Sequence, residues 1–269
     1  MRESSTTMID NSKQAVGVLF TSAAKINGTV PFKKRNSSRV WTLFSAKAKK
    51  YGLNIFFAHH TQYKDGKLMK CWYKENDRWK IARNQEVDVI YSRFAGSIYK
   101  DNNVNKAAQR FKLNMAKQVT IINHPALDEF CWDKRIVADA FPMYSPKTFV
   151  VNTPRGLKLV LGRINSDKVV IKPRYGTLGK DVLIVDKDNL PKKIGKNTLV
   201  QEFIDTSKGI KRITDEIHDM RIIMINGKID HVHIRTPKKG TLTANVALGG
   251  TKVFIPNSKI PKKAITIAK

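Results

Sequence analysis

The apolar run Val169-Val170-Ile171 delivers a lysine, Lys172, followed at once by Pro173 and a short loop holding Gly176 and Gly179. A charge at the end of a buried strand is costly unless it is used, and a phosphate oxygen would use it. The loop from Arg174 to Lys180 adds two more cations, and its glycines leave backbone N–H groups unobstructed. A second apolar run, Val182 to Val185, follows. Two strands joined by such a loop can close over a polyphosphate. Alone, the stretch also fits an ordinary hairpin with a basic tip. It is not a Walker loop, because GxxxxGK[ST] is missing, and not a dinucleotide fingerprint, because GxGxxG is missing.

Residues of matching chemistry recur on either side. Lys134 follows Asp133. Glu202 and Phe203 lie in Gln201–Ile204 at a strand end, where backbone groups can read an adenine edge. Asp219 and Arg221 alternate onto one strand face, and Arg235 ends the partner strand. Thr243 and Asn245 precede Gly249-Gly250. Plainer readings stand beside these: Lys134 as an exposed helix lysine, Asp219–Arg221 as a surface pair of little weight, and Arg235 as a strand-end charge in solvent. His231-x-His233 can share a strand face, but no cysteine or nearby carboxylate completes a zinc site. Cys131, on the apolar face of its helix, is expected in the core.

The positioning elements can be read in order. Ala15–Phe20 is a buried strand. Ser38 is expected to cap a helix carrying Val40, Leu43, Phe44, Ala48 and Tyr51, ended by Gly52. Asn54–Ala58 is a second strand, which makes a βαβ opening. Asp65-Gly66 marks a hairpin, with Trp72, Tyr73 and Trp79 packing the flanking segments. Val87–Tyr91 is a strand, 104–117 a helix and Val119–Ile122 a short strand. One helix is expected from Pro125 to Phe141, stopped by Pro142. Thr148–Asn152 and Leu199–Ile204 read as strands. Met220–Ile225 and Ile229–Arg235 read as a hairpin turning at Asn226-Gly227. The fold class is α/β, passing to α+β in the second half. The expected division is a flexible arm over 1–14, an α/β domain over 15–122 and a second domain over 123–269.

Composition bounds the function class. A chain of 269 residues, 41% hydrophobic and 27% charged, fits one large or two medium folded domains. No apolar run approaches the roughly 18 residues of a membrane span, and the polar N-terminus lacks a signal-peptide centre. Two cysteines make neither a disulfide scaffold nor a four-cysteine zinc site, so a reducing cytoplasm is expected. Lys and Arg number 50 against 22 Asp and Glu, a formal +28. Residues 1–134 hold 24 basic and 11 acidic residues and 135–269 hold 26 and 11, so no basic tail carries the excess. Such a balance suits nucleic acid, an anionic surface or an acidic substrate, or a source whose proteins are lysine-rich throughout. Aromatic RNA-binding strands, zinc fingers and heptads are missing.

The order of landmarks resembles the ATP-grasp superfamily. The closest likeness is to the branch holding glutathione synthetases and the glutamate ligases that modify ribosomal proteins. The landmarks are NHP…DK (123–134), SPKTFVV (145–151), VVIKPRYGTLGKDV (169–182), LVQEFI (199–204), DMRIIMINGK (219–228), Arg235 and TANVALGG (243–250). They cover about half the chain in the family's order. The first part, with Trp72, Trp79 and VDVIYSR, is similar to spore-coat-associated ATP-grasp proteins of the YheC/YheD type. The resemblance implies a pre-ATP-grasp layer over 15–122 and an ATP-grasp domain over 123–269, with a lid subdomain about 148–204 and core strands over 205–269. It implies that Lys134 and Lys172 contact the ATP phosphates, Lys172 also lying near adenine. Gly176 to Gly179 would form the phosphate loop, and Glu202 with Phe203 the adenine hinge. Asp219 would serve the ribose region, Thr243 the nucleotide site, Arg235 the acyl-phosphate and transferred phosphoryl group, and Asn245 the phosphate and metal end.

The implied activity is an ATP-dependent carboxylate–amine or carboxylate–thiol ligase acting through an acyl-phosphate. Its partners would be a small-molecule or peptide carboxylate and an amine acceptor, with the basic charge balance pointing to an acidic one. A non-catalytic nucleotide-binding or structural module is the alternative, and a polyanion or nucleic-acid binder a third reading. Two departures stand out. Thr243 occupies a position where the family commonly has arginine, with Lys238 and Lys239 nearby. Magnesium is expected from the family, yet the 19 residues after Gly250 contain no Asp or Glu, so the usual carboxylate ligands are not found. A C-terminally truncated ATP-grasp domain is therefore expected.

Overall fold

The computed structural model describes residues 12–21, 30–32, 35–93, 102–176, 179 and 181–269. Most of the expected flexible arm and the loop residues Thr177, Leu178 and Lys180 lie outside the described residues. The chain divides into two compact units, 1–131 and 132–269.

In the first unit, β1 (Gln14–Phe20) is buried on both faces, which is why its sequence is a continuous apolar run. After α1 (Arg35–Lys50), β2 (Leu53–His59) pairs with β1 in parallel. Then come β3 (Tyr63–Lys64), β4 (Lys67–Glu75), β5 (Arg78–Glu86), β6 (Val89–Ser92), α2 (Asn102–Ala116), β7 (Thr120–Ile122) and α3 (Pro125–Trp132). The sheet order is β3-β4-β2-β1-β6-β7, with β5 on β4 and parallel pairing from β2 through β7. One face packs Leu19, Phe56, Ile90 and Met115, and the other packs Val18, Phe57, Trp72 and Ala48. Trp72 and Trp79 are hairpin packing, as their pattern suggests.

The helix expected from a Ser38 cap begins instead at Arg35, with Ser38 inside it. Phe32 is 4% exposed and packs its ring on Phe20, Trp41 and Phe57. The helix thus starts four residues before the position a Ser38 cap would give, and its Trp41 packs on Phe32. The Asp65-Gly66 turn has φ of 47° and 80°, the mirror-image geometry that hairpins favour. A second hairpin turns at Asn76-Asp77, with φ of 44° and 60° and no glycine.

The single helix expected over 125–141 is two helices. Asp133 leaves helical geometry (φ −88°, ψ 96°) and its carboxylate accepts the backbone N–H groups of Arg135 and Ile136, capping α4 (Lys134–Ala140). Cys131, expected in the core, is exposed; it lies in the last turn of α3, whose one buried residue is Pro125.

In the second unit, β8 (Thr148–Val151), α5 (Pro154–Leu161), β9 (Lys168–Pro173), β10 (Leu183–Asp186) and β11 (Thr198–Glu202) follow α4. The strands form an antiparallel sheet in the order β10-β9-β11-β8. Its core is Val151, Leu157, Ile164, Val169, Ile171 and Val200. A second antiparallel sheet joins β12 (Asp219–Ile225), β13 (Lys228–Thr236) and β14 (Thr251–Ile255), and α6 (Lys262–Ala268) comes last. The fold is mixed, α/β in the first unit and antiparallel α+β in the second. No helix among the described residues is long and apolar enough to cross a membrane.

Candidate functional site

In β9 the residues Val169 and Ile171 point into the core, so Lys172 points to the other face. The register sets Lys172 opposite Leu199 and Val170 opposite Gln201, which makes Gln201 a diagonal neighbour on the lysine's own face. The Lys172 ammonium donates to Gln201 Oε1 at 2.6 Å. Gln201 Nε2 donates to Thr148 Oγ1 at 2.7 Å, and that hydroxyl donates to Pro146 O at 2.7 Å. Because the Thr148 proton is committed to Pro146, its oxygen must accept, which turns the Gln201 carbonyl toward Lys172. Burial, and then the charge of Lys134, push the Lys172 ammonium below its ordinary pKa.

Lys134, the first residue of α4, donates to the carbonyls of Pro173, Arg174 and Gly176 at 3.4, 3.2 and 2.9 Å. Burial lowers its pKa, with Asp133 opposing. Asp133 is 4% exposed and accepts from the Arg174 guanidinium and from Tyr175 OH. Burial alone would raise its pKa, but the Arg174, Arg135 N–H and Tyr175 hydrogen bonds outweigh it and hold the carboxyl below its usual range.

From the second sheet, Asp219 sits opposite Arg235 across the β12–β13 pair. Arg235 Nε donates to Asp219 Oδ1 at 2.8 Å, with a second guanidinium contact completing a fork. That hydrogen bond raises the pKa of Arg235 further. Asp219 thus pairs with Arg235 and not with Arg221. Asn245 accepts the N–H of Ala247 at 3.0 Å, capping the single turn Val246–Leu248. Gly179 lies against it at φ +69°, where a Cβ would come within 2.7 Å of Asn245 Nδ2.

Lys134, Lys172, Gly176, Gly179, Asp219, Arg235, Thr243 and Asn245 line one cavity of about 530 Å³. Glu202 and Phe203 do not line it. Glu202 pairs with Val169, at the opposite end of β9 from Lys172, and its carboxylate accepts the N–H of Asn165 at 3.1 Å. The N–H of Phe203 donates to Ser166 Oγ at 3.0 Å. Sequence reasoning passed over three side chains. Gln201 and Tyr175 gave no signal beyond adjacency to named residues. Arg221, placed on the strand face but given no role, lines the cavity and is exposed.

The cavity's chemistry is that of an anion site: cationic side chains on two sheets, with glycine backbone between them. These donors fit a nucleoside triphosphate. Magnesium was expected from the resemblance, and no carboxylate cluster for it is seen among the described residues. Among the described residues Asp219 is the one carboxylate lining the cavity, its oxygens held by Arg235. No described group of three or more His, Cys, Asp or Glu could hold a metal ion. His231 and His233 stack at 5.6 Å with Phe254 against both rings, which is packing and not a zinc site.

A "Probable alpha-L-glutamate ligase" of Shewanella pealeana is 30% identical over 132 residues, covering 46% of this chain and 27% of the relative. One from Legionella pneumophila is 29% identical over 148 residues, covering 52% of this chain and 45% of its own length. The chain thus spans less than half the length of these curated relatives. Among solved structures, D-cycloserine synthetase DcsG superposes with a TM-score of 0.56 at 11% identity, covering 94% of this chain and 78% of that one, a likeness of fold. The family model described as "Prokaryotic glutathione synthetase, ATP-grasp domain" matches residues 134–269. That match takes in every residue lining the cavity and slightly more than half the chain, and the protein belongs to the ATP-grasp superfamily.

Proposed function

We propose that the second unit binds ATP in this cavity and that the protein is an ATP-dependent ligase joining a carboxylate to an amine or thiol. The observation that carries the reading is the convergence of Lys134, Lys172, Arg235 and Asn245, with the glycine loop, on one cavity. In this reading Lys134 exchanges its loop carbonyls for phosphate oxygens, and Lys172, aimed by Gln201, holds a second phosphate. Arg235, held in plane by Asp219, faces the phosphoryl group as a carboxylate oxygen attacks its phosphorus and ADP leaves. The acyl-phosphate so formed is opened by the nucleophile, releasing phosphate. Thr243 and Asn245 contribute polar contacts at the phosphate end. Glu202 and Phe203 would serve adenine through their backbone carbonyls, since both N–H groups already have acceptors. The names of the curated relatives make glutamate the first amine to try.

The test is ADP release from Mg–ATP with a carboxylate and glutamate present. Turnover that needs both, and that Lys172→Ala removes, supports the ligase. ATP binding that Lys172→Ala abolishes, with no turnover under any acceptor, would establish the non-catalytic nucleotide-binding module instead.

A further inference from the structure

Asp133 does more than cap a helix. A cap needs one oxygen accepting one or two N–H groups, and Asn, Ser or Thr serves as well as Asp. Here Oδ1 accepts both capping N–H groups, at 3.0 and 3.4 Å. Oδ2 takes no part in the cap and accepts Arg174 Nη2 at 2.6 Å and Tyr175 OH at 3.1 Å, while Arg174 Nε reaches both oxygens. Arg174 and Tyr175 lie more than 40 residues along the chain, directly after Lys172-Pro173, and Tyr175 forms part of the cavity wall. The next residue, Lys134, grips the main-chain carbonyls of the same stretch. The cap of α4 and its first residue therefore fix the root of the glycine loop, Asp133 through the loop's side chains and Lys134 through its backbone.

We propose that Asp133 is a positioning residue for the anion cavity: its bond to Arg174 and Tyr175 sets the loop root, and through it the placement of Lys134 and Gly176 before a ligand arrives. Preorganised donors bind more tightly because their ordering cost is met during folding. Arg174 does not line the cavity, so its part is played through Asp133 and Tyr175.

The inference rests on ATP being the ligand, and Asp133→Asn separates the two claims. Asn keeps the cap and loses the charge pair. Simple electrostatics predicts that removing a negative charge beside a cationic cavity tightens polyanion binding; positioning predicts the reverse. Calorimetric titration with ATP should show Asp133→Asn and Arg174→Gln each weakening binding by roughly tenfold, and the double variant no weaker than either single. Hydrogen exchange at Arg174–Gly176, measured without nucleotide, should accelerate in both variants while exchange in β8 and β11 stays unchanged. Unchanged exchange at the loop root, or ATP binding in Asp133→Asn as tight as or tighter than in the parent, would overturn the proposal. A parent protein that binds no ATP would instead remove the proposed function, and the exchange result would still decide whether Asp133 sets the loop.

Discussion

Replacing Gln201 with methionine tests the polar chain that aims Lys172. Methionine has a similar volume and no hydrogen-bonding amide, so the ammonium loses its acceptor while the sheet keeps its packing. A hydrogen bond to a charged group contributes about 1.5–3 kcal/mol. Thr148 loses one donor but keeps its own bond to Pro146, a loss of about 0.5–1 kcal/mol. Some apolar gain from the methionine offsets this, leaving a net cost of about 2 kcal/mol, roughly a thirtyfold rise in the open population. The cost depends on pH. Lys172 gives up its proton more readily folded than unfolded, so the penalty for keeping it charged is present at neutral pH. It is relieved as pH rises through the lowered folded pKa toward the ordinary lysine value, and the variant's deficit shrinks with it. Hydrogen exchange of β9 and β11, read by mass spectrometry with urea unfolding alongside, measures the opening free energy. A change under about 0.5 kcal/mol, or additivity in the Lys172→Met/Gln201→Met pair, would refute the account.

Three further expectations follow from other sites. In the first unit Lys112 is 1% exposed and donates to Asp128 at 2.8 Å, so Asp128→Ala, which leaves the buried ammonium without its carboxylate, should cost about 3 kcal/mol in urea unfolding, and Lys112→Met/Asp128→Ala should recover part of it. Gly179→Ala combines a left-handed φ with a 2.7 Å approach to Asn245, and should weaken ATP binding at least tenfold in the same titration; Gly162→Ala, at φ −63° with no neighbour within 4 Å, should leave it unchanged. Burial first, then Lys252, His231, Arg221 and Arg235, lower the pKa of His233 below 6.5. Its neutral form therefore stabilises the fold above pH 6.5, and that contribution is lost as pH falls further, so melting temperature should drop on acidification, and less steeply in His233→Gln.

Much of this architecture is legible from local chemistry. The double-sided burial of β1 follows from an unbroken apolar run, and the turns at Asp65-Gly66 and Asn226-Gly227 from residues that tolerate left-handed backbone. Lys172 was legible because a lysine ending a buried strand demands a partner. Tertiary partners hide the rest. Asp133 interrupts the helix expected from Pro125 to Phe141, where it caps α4 and pairs with Arg174, a partner 41 residues away that the local sequence does not reveal. The start of α1 lies ahead of Ser38, and the packing of its Trp41 on Phe32 is a tertiary contact that the Ser38 cap signal does not contain. The antiparallel register between β9 and β11 decides that Gln201, not Glu202, meets Lys172, and register cannot be counted from one strand.

The cavity of the second unit gathers Lys134, Lys172, Arg221 and Arg235 against Asp219, the one carboxylate among the described residues that line it. Four like charges converging on one space repel one another, so folding brings them together against their own field. Any polyanion that enters relieves this strain, whatever chemistry comes afterwards. Phosphate or sulfate should accordingly raise the thermal stability of this half of the molecule beyond what chloride does at equal ionic strength. The site is thus also a spring: its compression is stored by the fold and released by the ligand.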